Sequence, residues 1–236
     1  MKIPVVSRQS AQTCADCTVW PFTICAALER SELQELERLG HHVHFEPNES
    51  MFAQDEAATS VYNLLEGVMR LYMLLPDGRR QIVGFVLPGD FLGMAAGDRH
   101  GFSADAVGPV IVCRFARDAF VRFIEDRPNV LRRINAFAAR ELSQARDQMV
   151  LLGRRSAEEK IVVFLIGWRD RLARFRPATP EVPLPMGRQD IADYLGLTIE
   201  MVSRTLTKLE RDGVIEILPG GIRLKNPARA KAIAAA

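Results

Sequence analysis

Met186-Gly-Arg-Gln-Asp-Ile-Ala-Asp-Tyr-Leu-Gly-Leu-Thr-Ile-Glu-Met-Val-Ser-Arg-Thr-Leu-Thr-Lys-Leu-Glu-Arg211 is the stretch whose reading decides the fold. Ile191, Ala192 and Leu195 fall on one helical face, Gly196 can reverse the chain, and the Thr198 hydroxyl is placed to cap a second helix. In that second helix Val202, Leu206 and Leu209 form an apolar side, while Glu200, Ser203 and Arg204 share another face. By spacing alone Glu200 and Arg204 are an ordinary i,i+4 surface ion pair. The Gly turn, the matched apolar faces and the following Asp212-Gly213-Val-Ile-Glu-Ile-Leu-Pro-Gly-Gly-Ile-Arg-Leu224, which reads as a β-hairpin wing, rarely coincide on a plain surface helix. The stretch therefore reads as a winged helix-turn-helix. In a major groove Arg can donate twice to guanine, Glu can accept from cytosine, and Ser can serve base or phosphate. Glu200, Ser203 and Arg204 are the expected readers of double-stranded promoter DNA.

Charge is distributed to match. Lys and Arg number 16 against 19 Asp and Glu over residues 1–150, but 15 against 10 over residues 151–236, within a total net charge of only +2. The positive excess is modest, and it sits in the part that holds the helix-turn-helix, as phosphate binding asks. With 236 residues, 48% of them apolar, the chain can bury one large or two moderate cores without staples. The longest apolar run, Ile161-Val-Val-Phe-Leu-Ile-Gly-Trp168, falls short of the roughly eighteen residues a membrane helix needs. The N-terminus shows no secretory pattern, so a cytoplasmic protein with no membrane partner is expected.

Of the four cysteines, three crowd into Cys14-Ala-Asp-Cys17-Thr-Val-Trp-Pro-Phe-Thr-Ile-Cys25 and the fourth is Cys113. In a reducing cytoplasm such a cluster points to metal or redox chemistry rather than disulfides. Thiolates are soft ligands, and four suffice for a zinc site or a [4Fe–4S] cluster. Cys113 by itself, inside the strand-like Val110-Ile-Val-Cys-Arg-Phe115, would pass for a buried thiol.

A short helix over residues 29–39 precedes alternating strand-like and turn-like pieces that run to about Phe115. Val68-Met-Arg-Leu-Tyr-Met-Leu-Leu75 and Arg80-Gln-Ile-Val-Gly-Phe-Val-Leu87 flank the turn Pro76-Asp77-Gly78-Arg79, and Leu87-Pro-Gly-Asp90 makes another, so an antiparallel roll is expected. From Pro128 the period becomes that of one long helix. Ile134, Ala138, Leu142, Ala145, Met149 and Leu152 recur at gaps of three and four, the spacing of a coiled-coil seam. Such a stripe could pack on its own domain, but its length and the need to grip two half-sites favour a homodimer seam through Ile134, Ala138, Leu142, Ala145 and Met149. A helix over 157–173 leads into the Pro-rich 175–185, expected as an extended link, and Asn226 should cap a short final helix from Pro227. The expected architecture is α+β. It comprises a cysteine-rich segment over 1–27, an antiparallel β-roll sensor over 28–127, a dimerisation helix over 128–153 and a winged helix-turn-helix over 154–236.

Over essentially its full length the sequence resembles the CRP/FNR family of bacterial transcription regulators, most closely its oxygen-sensing FNR branch. The resemblance rests on Cys14, Cys17, Cys25 and Cys113, on Gly84-Phe-Val-Leu-Pro-Gly-Asp-Phe-Leu-Gly93, on Ser156-Ala-Glu-Glu-Lys-Ile-Val-Val-Phe-Leu165, and on Tyr194-Leu-Gly-Leu-Thr-Ile-Glu-Met-Val-Ser-Arg204. It implies a cyclic-nucleotide-binding-like roll and a [4Fe–4S] cluster on the four cysteines, which oxygen converts and destroys. In the family, cluster loss weakens the dimer seam, and the dimer binds a TTGAT-N4-ATCAA palindrome. The family's base readers fall on Glu200, Ser203 and Arg204, and its RNA polymerase contact falls near Asp77, Gly78 and Arg79. The interval from Cys17 to Cys25 holds seven residues where the archetype has five, which alters loop closure by only a few tenths of a kcal/mol. Gly89-Asp-Phe-Leu-Gly-Met-Ala-Ala-Gly-Asp-Arg-His-Gly-Phe-Ser103 lacks the Gly-Glu and Arg-Ser pairs of the cyclic-nucleotide branch, so cyclic AMP is not expected as ligand.

Two rival readings start from the same residues. A metal-dependent cupin enzyme would use His42 and His44, which point the same way along a strand; it needs another His from a later strand, and the remaining one, His100, lies in a Gly-rich turn region. Imidazoles beside the first strand are the simpler account. The second rival keeps DNA binding and makes the thiols a zinc site or a thiol–disulfide switch.

Overall fold

A computed structural model describes Cys14 and residues 17–94, 97–175 and 179–235. The rest of the cysteine-rich segment, Ala95 and Ala96 of the Gly-rich region, and 176–178 of the expected link lie outside the described residues. Two compact units emerge, one ending at Ser143 and the other beginning at Gln144. The division falls inside the long helix, which was expected to stand as a segment of its own.

The first unit is built on two antiparallel sheets. β1 (Gly40–Phe45), β8 (Val110–Ala116), β3 (Ser60–Glu66) and β6 (Phe91–Leu92) form one, in that order; β2 (Ser50–Phe52), β7 (Ser103–Ala106), β4 (Met69–Leu74) and β5 (Arg80–Val86) form the other. Side chains alternate across a strand, so a strand covered on both sides sends apolar residues to both faces. β3 shows this: Tyr62 and Leu64 enter the roll interior with Phe52, Met69, Leu71, Val110 and Val112, while Val61 faces the opposite way with Cys113 and Phe115. That second layer is covered by residues of the cysteine segment and by α1 (Arg30–Leu39), α2 (Arg117–Glu125) and the start of α3 (Pro128–Arg154), which contribute Cys25, Leu36, Phe120, Phe123, Val130 and Phe137. Helix α2 had no counterpart among the sequence expectations. Gly89, in the turn between β5 and β6, has φ +85, and a Cβ there would lie 2.6 Å from Phe22 Cβ, so only glycine lets this turn lie against the cysteine segment.

In the second unit, α4 (Ala157–Leu172) begins with a capping box in which Ser156 and Glu159 bond reciprocally. The helix-turn-helix consists of α5 (Arg188–Leu195) and α6 (Ile199–Arg211). Gly196 between them is left-handed at φ 60 and ψ 43, and Thr198 accepts from the Met201 N–H as expected. The wing is β10 (Ile215–Leu218) paired with β11 (Gly221–Leu224), but it has a third strand, β9 (Glu181–Pro183). The expected link is thus extended, yet part of it belongs to the DNA-binding module. The reason is Val182, which is fully buried and fixes the strand, with Pro183 tolerated at the sheet edge. Asn226 caps α7 (Pro227–Ala235) by accepting from the Arg229 N–H at 3.0 Å. Among the described residues no helix is long and apolar enough to cross a membrane.

Candidate functional site: a thiol-lined cavity and a DNA-reading helix

The described end of the cysteine segment forms two short 3-10 turns, Trp20–Phe22 and Ile24–Ala27. Thr23 joins them: its hydroxyl accepts from the Cys25 N–H at 3.1 Å and donates to the Trp20 carbonyl at 3.0 Å. At the other end of the segment, the Cys14 N–H donates to Glu37 Oε1 of α1 at 2.9 Å. These bonds bring the segment onto the outer face of the first sheet, where Cys113 sits at the middle of β8. Cys14, Cys17, Cys25 and Cys113 then line one cavity together with Trp20, Thr23, His42 and Asn63. Strand register explains two of these neighbours, because His42 on β1 and Asn63 on β3 are both directly opposite Cys113.

The cavity opposes thiolate formation. Burial, with Cys25, Glu37 and Cys17 nearby, pushes the Cys14 thiol up to about 12; burial pushes Cys25 up to about 11. Burial and the same set of sulfurs raise Cys113, and burial raises Cys17. All four are free thiols. Four mutually opposed thiolates need a strongly positive centre to hold them together, which is the chemistry of an iron–sulfur cluster or a thiophilic ion. Among the described residues no group of three or more His, Cys, Asp or Glu is arranged to hold a single metal ion. The cavity walls also carry N–H donors. Asn63 Nδ2 donates to Cys25 Sγ at 3.5 Å, and Trp20 Nε1 is buried with no partner among the described residues. Donors around sulfur fit an acceptor-rich group such as a [4Fe–4S] cluster better than a bare cation.

The histidines of the cupin reading do not converge. His42 lines the thiol cavity, whereas His100 is buried inside the unit, stacked on Phe52 with ring centroids 3.7 Å apart. The turn Asp77-Gly78-Arg79 projects from the β4–β5 hairpin, with Arg79 Nε bonded to Asp77 Oδ2 at 2.7 Å; the Arg79 N–H and side chain hold the Asp77 carboxyl below its usual range. Exposed Met73, Leu74, Leu75 and Val83 lie on the same hairpin.

On α6, Val202, Leu206 and Leu209 are buried, Glu200 and Arg204 are exposed, and Ser203 is half-buried. The three expected readers are therefore presented together at the start of the helix. Sequence reading missed Arg188, at the start of α5, whose Nη1 donates to Ser203 Oγ at 3.1 Å. It extends the polar face by one cation, and its distance of 15 residues from Ser203 left no local signal. On α3, Ala138, Leu142, Ala145 and Met149 are exposed, as a seam requires. Ile134 differs: it is partly buried and packs on the core of its own unit, while Leu131, one turn earlier, is exposed on the stripe.

A β-roll followed by a winged helix-turn-helix defines a DNA-binding regulator. A family model for bacterial regulatory proteins of the crp family matches residues 184–215, and one for the cyclic nucleotide-binding domain matches 42–127. The nitrogen fixation regulation protein FixK of Bradyrhizobium diazoefficiens is 62% identical over 98% of both chains. The transcriptional activatory protein AadR of Rhodopseudomonas palustris is 62% identical over 93% of this chain and 92% of its own. The solved structure of FixK2 from Bradyrhizobium japonicum superposes with a TM-score of 0.77 at 36% identity, covering 84% of this chain and 98% of that one. The chain belongs to the CRP/FNR family of DNA-binding transcription regulators. It is a transcriptional activator of that family and not an enzyme; regulators of the family bind promoter DNA and dimerise.

Proposed function

We propose that this regulator responds to oxygen, and that it activates transcription as a homodimer when Cys14, Cys17, Cys25 and Cys113 hold a [4Fe–4S] cluster. The observation that carries the reading is the convergence of four thiols on one cavity whose wall donates an N–H to the Cys25 sulfur. A bound cluster would supply positive charge to stabilise four thiolates, together with a centre that oxygen degrades. The chain's own residues couple that cavity to α3. Arg133 on α3 donates from Nε to the Thr23 carbonyl at 2.6 Å and from Nη2 to the Pro21 carbonyl at 2.7 Å, so the turns carrying Cys25 are tied to the helix proposed as the dimer seam. Each protomer of the dimer would then offer Glu200, Ser203 and Arg204 to one half of a TTGAT-N4-ATCAA-like palindrome. The exposed Asp77, Gly78 and Arg79 turn is the proposed contact for RNA polymerase. Cyclic AMP is not the proposed ligand, because the Gly-Glu and Arg-Ser pairs that would hold it are absent from 89–103. A relative named for regulation of nitrogen fixation makes promoters of that process the first to test.

The test is purification with air excluded, followed by visible absorption and iron and sulfide analysis. Coloured protein with iron and acid-labile sulfide is the expected result, and Cys25→Ala should abolish it. Colourless protein with stoichiometric zinc would overturn the cluster and favour the thiolate–zinc alternative.

A further inference from the structure

We infer that Asn63 is a positioning residue for the proposed cluster: its side-chain amide donates an N–H to the Cys25 sulfur and thereby slows oxidative loss of the bound group. The inference rests on the cluster reading above and concerns a residue outside the four ligands.

Asn63 is 1% exposed, in a strand otherwise made of Ser, Val, Tyr, Leu and Glu, and its Nδ2 lies 3.5 Å from Cys25 Sγ. A buried polar side chain in a core strand costs stability unless it is bonded, so a residue of this type at this place calls for a partner. Here the sulfur is that partner. Asn63 Oδ1 has none among the described residues, so exchanging the amide's O and N would set an oxygen against sulfur and leave both N–H groups unbonded. The donor's position is fixed by backbone. Asn63 is directly opposite Phe91 of β6 on one side and Cys113 of β8 on the other, so its strand is held from both edges. The amide therefore reaches across the cavity wall from a strand paired on both edges, next to the strand that carries Cys113 and onto the sulfur of Cys25, 38 residues away.

Iron–sulfur potentials depend on hydrogen bonds to the sulfurs, because a donor stabilises the more electron-rich state of the cluster. Removing it makes an electron easier to withdraw, and oxygen is the acceptor the proposed function already names. One hydrogen bond corresponds to roughly a five-fold change in the oxidised-to-reduced ratio. For a one-electron couple that is about 40 mV.

The experiment compares anaerobically reconstituted wild type, Asn63→Leu, which keeps the shape without the donor, and Asn63→Asp, which puts a carboxylate oxygen where the amide N–H stood. Potentiometric titration should show a lower midpoint for both variants, and absorption decay in air-saturated buffer should run roughly five-fold faster. Iron–sulfur stretching frequencies of the wild type should shift on transfer to D2O, and that shift should shrink in Asn63→Leu. Equal midpoints and decay rates would overturn the inference, as would a wild-type spectrum insensitive to D2O, which needs no variant to fold. Wild-type protein that takes up no iron would fail at an earlier point and remove the cluster reading with it.

Discussion

Arg204 is exposed at the start of α6, where a guanidinium can donate in parallel to guanine O6 and N7, and nothing else among the expected readers can replace that fork. Arg204→Ala should cost about 1–3 kcal/mol at the consensus half-site and relax preference at one base pair. Titration of single-base operator variants checks this, and a loss equal across all sequences would mark Arg204 as a phosphate contact. Arg188 makes the opposite case. Because it already donates to Ser203 Oγ, Arg188→Ala should free the serine hydroxyl and weaken binding without changing which base is preferred. The polar face of Glu200, Ser203 and Arg204 on α6 was legible in the sequence because one helical period places it beside an apolar stripe. Arg188 and Asn63 were not, since the partner of each is fixed by tertiary packing: the α5–α6 angle for one, and the meeting of the cysteine segment with β3 for the other. The thiols themselves were legible as a set by chemistry, but their common cavity depends on β8 lying beneath the cysteine segment.

At the scale of elements, α3 has two characters. Its first turns are part of a core, with Val130 and Phe137 buried and Ile134 partly so, and Arg133 bonded to two carbonyls of the cysteine segment. Later residues of the helix up to Met149 carry an exposed apolar stripe. The heptad-like spacing made both halves look like seam, because periodicity tells which residues share a face and not what covers it. Arg133→Leu keeps the apolar stem and removes the two donations. Cluster uptake should survive, while the difference in dimer fraction between anaerobic and aerated protein should shrink in sedimentation; an undiminished difference would exclude Arg133 as the tie. A second element depends on a backbone conformation. Gly196 is left-handed, and a Cβ there would lie 3.4 Å from Leu152 Cδ2. Gly196→Ala should cost about 1–2 kcal/mol from the left-handed conformation alone. Amide exchange in α5 and α6 would then quicken roughly five- to thirtyfold if the turn opens locally, and unchanged protection would contradict the cost. The turn was readable from sequence because Gly and Thr carry it locally; β9 was not, because a Pro-rich stretch shows extension but not the strand that accepts it.

At the scale of the whole molecule, one protomer supplies one recognition helix, whereas a palindrome offers two half-sites, so affinity depends on the seam as much as on the readers. The exposed residues Leu131, Ala138, Leu142, Ala145 and Met149 are the apolar surface proposed for it, with Leu142 53% and Met149 70% exposed in the single chain. Burying one such side chain is worth about 2 kcal/mol, and a two-fold seam gains it twice. Leu142→Asp forfeits both copies and sets two carboxylates in apolar surroundings, so the dimer dissociation constant should rise at least roughly a thousandfold. Sedimentation of cluster-loaded protein should show a shift from dimer to monomer. DNA binding should fall in a distinctive way: the palindrome's advantage over an isolated half-site should disappear, and the slope of log affinity against log salt should fall to about half, since one protomer makes half the phosphate contacts. Arg204→Ala, by contrast, should leave the dimer intact. A Leu142→Asp protein that still sediments as the wild-type dimer, and keeps its preference for the palindrome, would show that the protomers meet through some other surface.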